Sequence, residues 1–286
     1  MRRHPRGTLA SLTRPFKMVQ DTSRRRLDAV TRHFHASLQY PAKSLSAANE
    51  LGTFRLGPHV AIPVHAADAP ERIPPERLLL DLEDPIVLEH LEFLGKKWQL
   101  RQDVFLSSPP GPYTRRLCQT FAALIQVPVE YVSLHRDIGE AELLQQRSLE
   151  AGGNLRYDDG PVVRAMKHGR ILILDGIERA ERGVMPILNN ILENREQNLA
   201  DGTQLVPSER LTAANHQLQQ DSGNAHARFI PVHPDFRVFC LGLPVPPYRG
   251  HPLDPPFRSR FQARWVEGAV FAPPPISDST KQGSSL

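Results

Sequence analysis

The sequence predicts a three-layer α/β fold, with helices covering both faces of a mostly parallel sheet and a basic N-terminal extension ahead of it. Two observations carry this. Apolar runs of strand length alternate with amphipathic helical stretches from Pro85 to Val270, and Ile171-Leu172-Ile173-Leu174 is aliphatic at four consecutive positions, as a strand buried on both faces requires. That run ends in Asp175-Gly176-Ile177-Glu178, so a buried strand delivers a carboxylate to its C-terminal end.

Residues 35–82 read as an extended leading segment, with short strands at 52–57 and 59–63. Val87, Leu88, Leu91, Leu94 and Trp98 recur at helical spacing and predict an amphipathic helix over 85–100. A strand at 103–107 follows, then the tight turn Ser108-Pro109-Pro110-Gly111-Pro112, then a helix whose buried stripe is Leu117, Phe121, Leu124 and Ile125. Next come a strand at 129–134 and a helix at 138–148 with acids early and Arg147 late. A short helix opens at Pro161 and stops at Gly169, a C′ glycine. After the 171–174 strand, Val184, Ile187, Leu188 and Ile191 mark a helix over 182–193, and Asp201-Gly202 signals a hairpin within 194–206. The Gln/Asn-rich stretch 208–228 reads as a flexible insertion and 236–242 as another buried strand. Segments 257–261 and 263–270 close a domain assigned to 83–272, and the Pro/Ser-rich stretch 273–286 reads as a disordered tail.

Charge is unevenly placed. The first 34 residues hold nine basic residues against Asp21 and Asp28, an excess of seven, so the rest of the chain carries −3 of the total +4. A basic nucleic-acid-binding body is therefore not expected. The arginine-rich, acid-poor composition of 1–34, with Phe16, Val19 and Leu27 on one side of a helix, suits a mitochondrial transit segment processed near residue 34; a basic tail with another role is the alternative. A mitochondrial, matrix location is the expectation. No aliphatic run approaches the roughly 18 residues that cross a bilayer, so no membrane span is expected. Cys118 and Cys240 form no metal or redox motif, and the 12 histidines show no His-Glu-x-x-His spacing.

A phosphate-binding loop needs a strand, a turn of backbone N–H groups and a helix N-terminus, with a lysine for charge and a Ser/Thr for the metal. Residues 103–125 have that order of elements but not its residues. Ser108 and Tyr113 stand at the two glycine positions, Thr114 at the lysine and Arg115 at the Ser/Thr. Pro110, Gly111, Pro112, Thr114, Arg115 and Arg116 are the candidate phosphate contacts, the two arginines supplying charge. Asp175 is the candidate magnesium carboxylate. Gly176 stands where a water-polarising Glu ordinarily follows, leaving Glu178 either to act from a shifted position or to be a solvated acid.

The series 171–178, Pro186-Ile187-Leu188-Asn189-Asn190-Ile191-Leu192-Glu193-Asn194-Arg195, the hairpin, Phe236-Arg237-Val238-Phe239 and Leu253-Asp254-Pro255-Pro256-Phe257-Arg258-Ser259-Arg260-Phe261 resembles the AAA+ superfamily in its dynein-related, midasin and MoxR-like branch. The resemblance implies a P-loop NTPase large domain, ATP and Mg2+ as cofactors, and ATP hydrolysis coupled to protein remodelling in a homo- or hetero-oligomeric ring. It implies that Arg258, or else Arg260, reaches the phosphate of a neighbouring subunit, the other reading of both being a structural salt bridge. The family's polar sensor falls at Gly242 and Leu243, and no small helical lid domain is evident after Val266. Degenerate motifs leave a second function open, a non-hydrolysing assembly platform that makes contacts through 189–206.

Overall fold

The computed structural model describes residues 50–149, 153–210 and 228–267. The basic segment 1–34, the tail 273–286 and most of the 208–228 insertion lie outside the described residues. The chain opens with an antiparallel hairpin, β1 (Glu50–Leu56) and β2 (Val60–His65). Alternation along β2 sends Val60, Ile62 and Val64 inward. They meet helix α1 (Pro85–Gln99), which is capped by Asp84 Oδ1 accepting from Ile86 N at 2.8 Å. Gly95 of α1 lets the hairpin approach closely, since a Cβ there would stand 2.5 Å from Val60 Cγ1. The leading segment is thus packed into the same core as the domain it precedes.

The rest alternates strand and helix as β3 (Val104–Ser107), α2 (Tyr113–Leu124) and β4 (Val129–Ser133). A departure follows. Helix α3 covers only Glu140–Leu143, and β5 (Gln145–Leu149) pairs antiparallel with β6 (Leu155–Asp159) where one long helix is predicted. The helix formers Glu, Ala, Leu and Gln fix local preference, but pairing with a partner ten residues on overrides it. Then come α4 (Pro161–His168), ended by Gly169 at φ +69°, β7 (Ile171–Asp175) and α5 (Met185–Asn194). The predicted hairpin is β8 (Gln197–Asn198) against β9 (Thr203–Pro207), with Gly202 at φ +84°, and β10 (Arg228–Val232) adds parallel to β9. The domain closes with β11 (Arg237–Gly242), α6 (Pro255–Ser259) and β12 (Gln262–Trp265).

Five strands form one parallel sheet in the order β12-β3-β11-β7-β4. Numbering these five along the chain, the spatial order is fifth, first, fourth, third, second. The central strands are buried on both faces. Ile171, Ile173, Phe239 and Leu241 enter the core with α1 and α2, while Leu172, Leu174, Val238 and Cys240 enter the core with α4 and α5. The chain leaves β3 toward β4 on one side and leaves β11 toward β12 on the other. The crevice therefore lies where the C-terminal ends of β3, β11 and β7 meet.

Two buried ionic knots tie this scaffold. Glu130 on β4 receives Arg170 Nη1 at 2.7 Å, Arg164 Nη2 at 2.9 Å and Arg72 Nη1 at 2.9 Å, joining β4 to α4, to the start of β7 and to the leading segment. Asp103 accepts from Val238 N at 2.8 Å and pairs with Arg195; its burial pushes the carboxyl above the ordinary range against the pull of that arginine.

Candidate functional site

At the crevice an open cleft of about 360 Å3 is lined by the 108–111 turn, Thr114 and Arg115, Asp175, Gly176, Glu178 and Arg179, the end of β11 and Arg249. The turn needs Gly111, whose φ is +154°. Three of its four residues 109–112 are prolines without an N–H, so the cleft is poor in the backbone donors that ordinarily wrap a phosphate. The free N–H groups are those of Gly111 and the first turn of α2.

Thr114, at the lysine position, is 4% exposed and donates to Ser108 Oγ at 2.6 Å, closing the turn on itself. It supplies no charge. Arg115, at the Ser/Thr position, sets its Nε 3.0 Å from Asp175 Oδ2 and lies over the Tyr131 ring at 5.4 Å. Tyr131 in turn donates its hydroxyl to the same Oδ2 at 2.7 Å, and partial burial followed by that carboxylate raises the phenol above its ordinary range. Asp175, 19% exposed in its side chain, is therefore held at the end of β7 by an ion pair to Arg115 and a hydrogen bond from Tyr131.

Glu178 lies in the cleft and is 1% exposed, which removes the reading of a solvated acid. Its Oε2 accepts from Leu243 N at 3.1 Å, at the end of β11. Its Oε1 makes no hydrogen bond and lies 3.3 Å from Arg179 Nε. Gly250, at φ +154°, brings the 244–254 loop down over this acid: a Cβ there would stand 2.7 Å from Glu178 Cγ.

The remaining predicted residues divide. Pro110 and Gly111 line the cleft, and Pro112 stands at the N-cap of α2 behind it. Arg116 does not face the cleft; it turns to the leading segment, donating to Leu78 O at 3.0 Å and Leu79 O at 2.7 Å. That corrects its expected place as a phosphate contact. Consecutive helical residues diverge by about 100°, so Arg115 and Arg116 cannot both face one site. Arg258 is exposed on α6 and has no side-chain partner among the described residues, whereas Arg260 is bound to Glu193 and to Pro256 O. Sequence reasoning missed Tyr131, Arg179 and Arg249. Tyr131 was recoverable in part, because strand alternation sets it opposite Glu130. The other two sit in irregular segments where no period points.

Magnesium takes oxygen ligands in an octahedron at about 2.0–2.1 Å. Asp175 Oδ2 is already engaged by a guanidinium and a hydroxyl, and the neighbouring hydroxyl ligand is replaced by that same guanidinium. The arrangement does not fit a magnesium ion on Asp175.

A parallel sheet in this order, with a strand-turn-helix loop after its first strand and an acid ending its third, defines an α/β nucleotide-binding domain of the P-loop ATPase type. The chain belongs to the AAA domain family, dynein-related subfamily, whose model matches residues 103–261. It is 45% identical over 195 residues, 68% of its length, to mouse von Willebrand factor A domain-containing protein 8, of which it spans 10%. It is also 32% identical over 104 residues, 35% of its length, to a Staphylococcus epidermidis protein of which the match covers 40%. A crystal structure of a candidate ATPase from Cytophaga hutchinsonii aligns over 64% of this chain and 49% of its own, at a TM-score of 0.42 and 15% identity. The family implies nucleotide and magnesium binding in general. No helix of the described residues is long and apolar enough to cross a membrane.

Proposed function

We propose that this chain is a nucleotide-binding AAA+ module that holds ATP without hydrolysing it and serves as an assembly platform within an AAA+ ring. One observation carries the reading: Arg115 Nε stands 3.0 Å from Asp175 Oδ2, in the position that hydrolysis assigns to a metal. Thr114 and Gly176 support it, since the first lacks a lysine's charge and the second a water-polarising carboxylate. Glu178 does not replace that carboxylate, because one oxygen is committed to Leu243 N and the other is buried against Arg179, 3.3 Å from its Nε.

The test uses the full chain. Equilibrium titration with a fluorescent ATP analogue is expected to saturate, while phosphate release stays at the level of buffer. Turnover that disappears in Asp175→Ala would overturn the non-hydrolysing reading. Absence of saturation at millimolar nucleotide would sink nucleotide binding altogether.

In the same reading, the exposed Arg258 is offered to a neighbouring subunit's nucleotide, in a homo- or hetero-oligomeric ring. The protein is proposed to act in the mitochondrial matrix, on the strength of the composition of 1–34. Fusing those residues to a fluorescent protein tests this, and a diffuse cytosolic signal would refute it.

A further inference from the structure

We propose that Arg115 takes the place of the divalent cation, so that the cleft binds a nucleoside polyphosphate in its metal-free form. This rests on the nucleotide-binding reading above and goes beyond it by naming the chemical species bound.

The ordinary site of this kind sets one lysine and one divalent ion, three positive charges, against two carboxylates. Here the lysine is gone and the metal position is filled, yet the cleft is lined by Arg115, Arg179 and Arg249 against Asp175 and Glu178. The balance is unchanged: three guanidinium charges stand where a lysine and a magnesium ion would supply the same three. A polyanion entering this cleft meets its counter-charge already covalently in place. An added divalent ion would have to displace a guanidinium from Asp175 or add surplus charge beside it.

Geometry agrees with the count. Arg115 approaches Asp175 most closely at Nε, as an ion pair, and none of its guanidinium N–H groups makes a hydrogen bond among the described residues. Its plane is steadied over the Tyr131 ring, and Tyr131 is itself tied to Asp175. A guanidinium held in place by an ion pair and a ring beneath it, with its N–H groups not yet bonded, is suited to bidentate phosphate binding. Arg249 also has no side-chain partner among the described residues and lines the same cleft. The three prolines of residues 109–112 withhold N–H groups from this turn, so arginine forks are the donors left to hold the anion.

The experiment is calorimetric titration of the full chain with ATP and with ADP, in EDTA and in excess magnesium chloride. The expected result is an affinity in EDTA that equals or exceeds the affinity in magnesium. Arg115→Ser is expected to weaken binding in EDTA by about tenfold or more and to recover part of the loss in magnesium, now admitted to Asp175. Arg115→Lys, which keeps one charge but loses the fork, is expected to fall between the two. Half the Arg115 side chain is exposed, and thermal melting of each variant reports that it folds.

Binding of the parent that requires magnesium would overturn the inference and leave the nucleotide reading standing. Indifference of the metal response to Arg115→Ser would overturn it as well. Failure of both nucleotides to bind the parent in either buffer would overturn both proposals together.

Discussion

Glu130 is the test of whether the buried ionic knot is structural in the strong sense, since it also fixes the strand that brings Tyr131 to Asp175. Its side chain is 3% exposed and is met by three arginines, of which Arg170 is itself 7% exposed. Glu130→Ala leaves Arg170 buried with only Asp68, at 2.8 Å, as its remaining carboxylate. Removing one partner of a buried pair costs about 3–5 kcal/mol, because the other charge stays desolvated. For a domain of roughly two hundred residues, each kcal/mol lowers the Tm by about 2–4 °C, so the fall expected is about 6–20 °C. Arg72 touches the same carboxylate from a side chain that is 38% exposed, and Arg72→Ala is expected to cost at most about 1 kcal/mol. Urea unfolding followed by circular dichroism measures both. Glu130→Ala unfolding within about 1 kcal/mol of the parent, or Arg72→Ala matching it, would refute the reasoning.

Other consequences are open to similar tests. Burial, then Arg264, lowers the His90 pKa below 6.5, with Glu89 and Asp84 opposing. The unfolded chain therefore binds the extra proton first, so stability falls as pH drops through 6.5 toward the folded value. His90→Gln should flatten that part of the curve, and equal slopes in parent and variant between pH 5 and 7.5 would count against it. Gly176→Glu, which restores an acid after Asp175, is expected to lose about 1–2 kcal/mol and gain no phosphate release. Its φ is +84° and a Cβ meets Arg179 Nη2 at 2.4 Å, so measurable turnover in this variant would contradict the account. Arg258→Ala should leave the melting temperature unchanged while weakening nucleotide-dependent assembly in sedimentation, and Arg260→Ala, removed from its Glu193 contact, should do the reverse.

What the sequence disclosed follows from how burial writes itself into residues. Strands covered on both faces read as nearly continuous apolar runs, so 171–174 and, despite Arg237, 236–242 were legible without their neighbours. The β5–β6 hairpin was not, because an exposed pair has no buried face to impose alternation, and Leu149 and Leu155 face solvent there. At the site, Asp175, Glu178 and Arg115 were found because each sits at a fixed distance from the end of a strand or the start of a helix. Arg249 reaches the same cleft from a loop whose course depends on the close packing of Gly250 on Glu178, which spacing along the chain does not encode.

The departures at 114 and 115 make most sense together. Thr114 alone would remove a positive charge from a nucleotide site, and its hydroxyl, donating to Ser108, turns the lysine position into part of the scaffold. Arg115 alone would bring a cation against the carboxylate that ordinarily holds the metal, at 3.0 Å, and exclude that metal. Combined with Arg179 and Arg249, they exchange a diffusible charge for fixed ones while leaving the cleft's balance where it was. Hydrolysis depends on a metal polarising the phosphate in the transition state, whereas binding depends only on charge and donors already in place. On the proposed reading, a cleft rebuilt in this way keeps the second property and gives up the first, as would suit a ring subunit that senses nucleotide without consuming it.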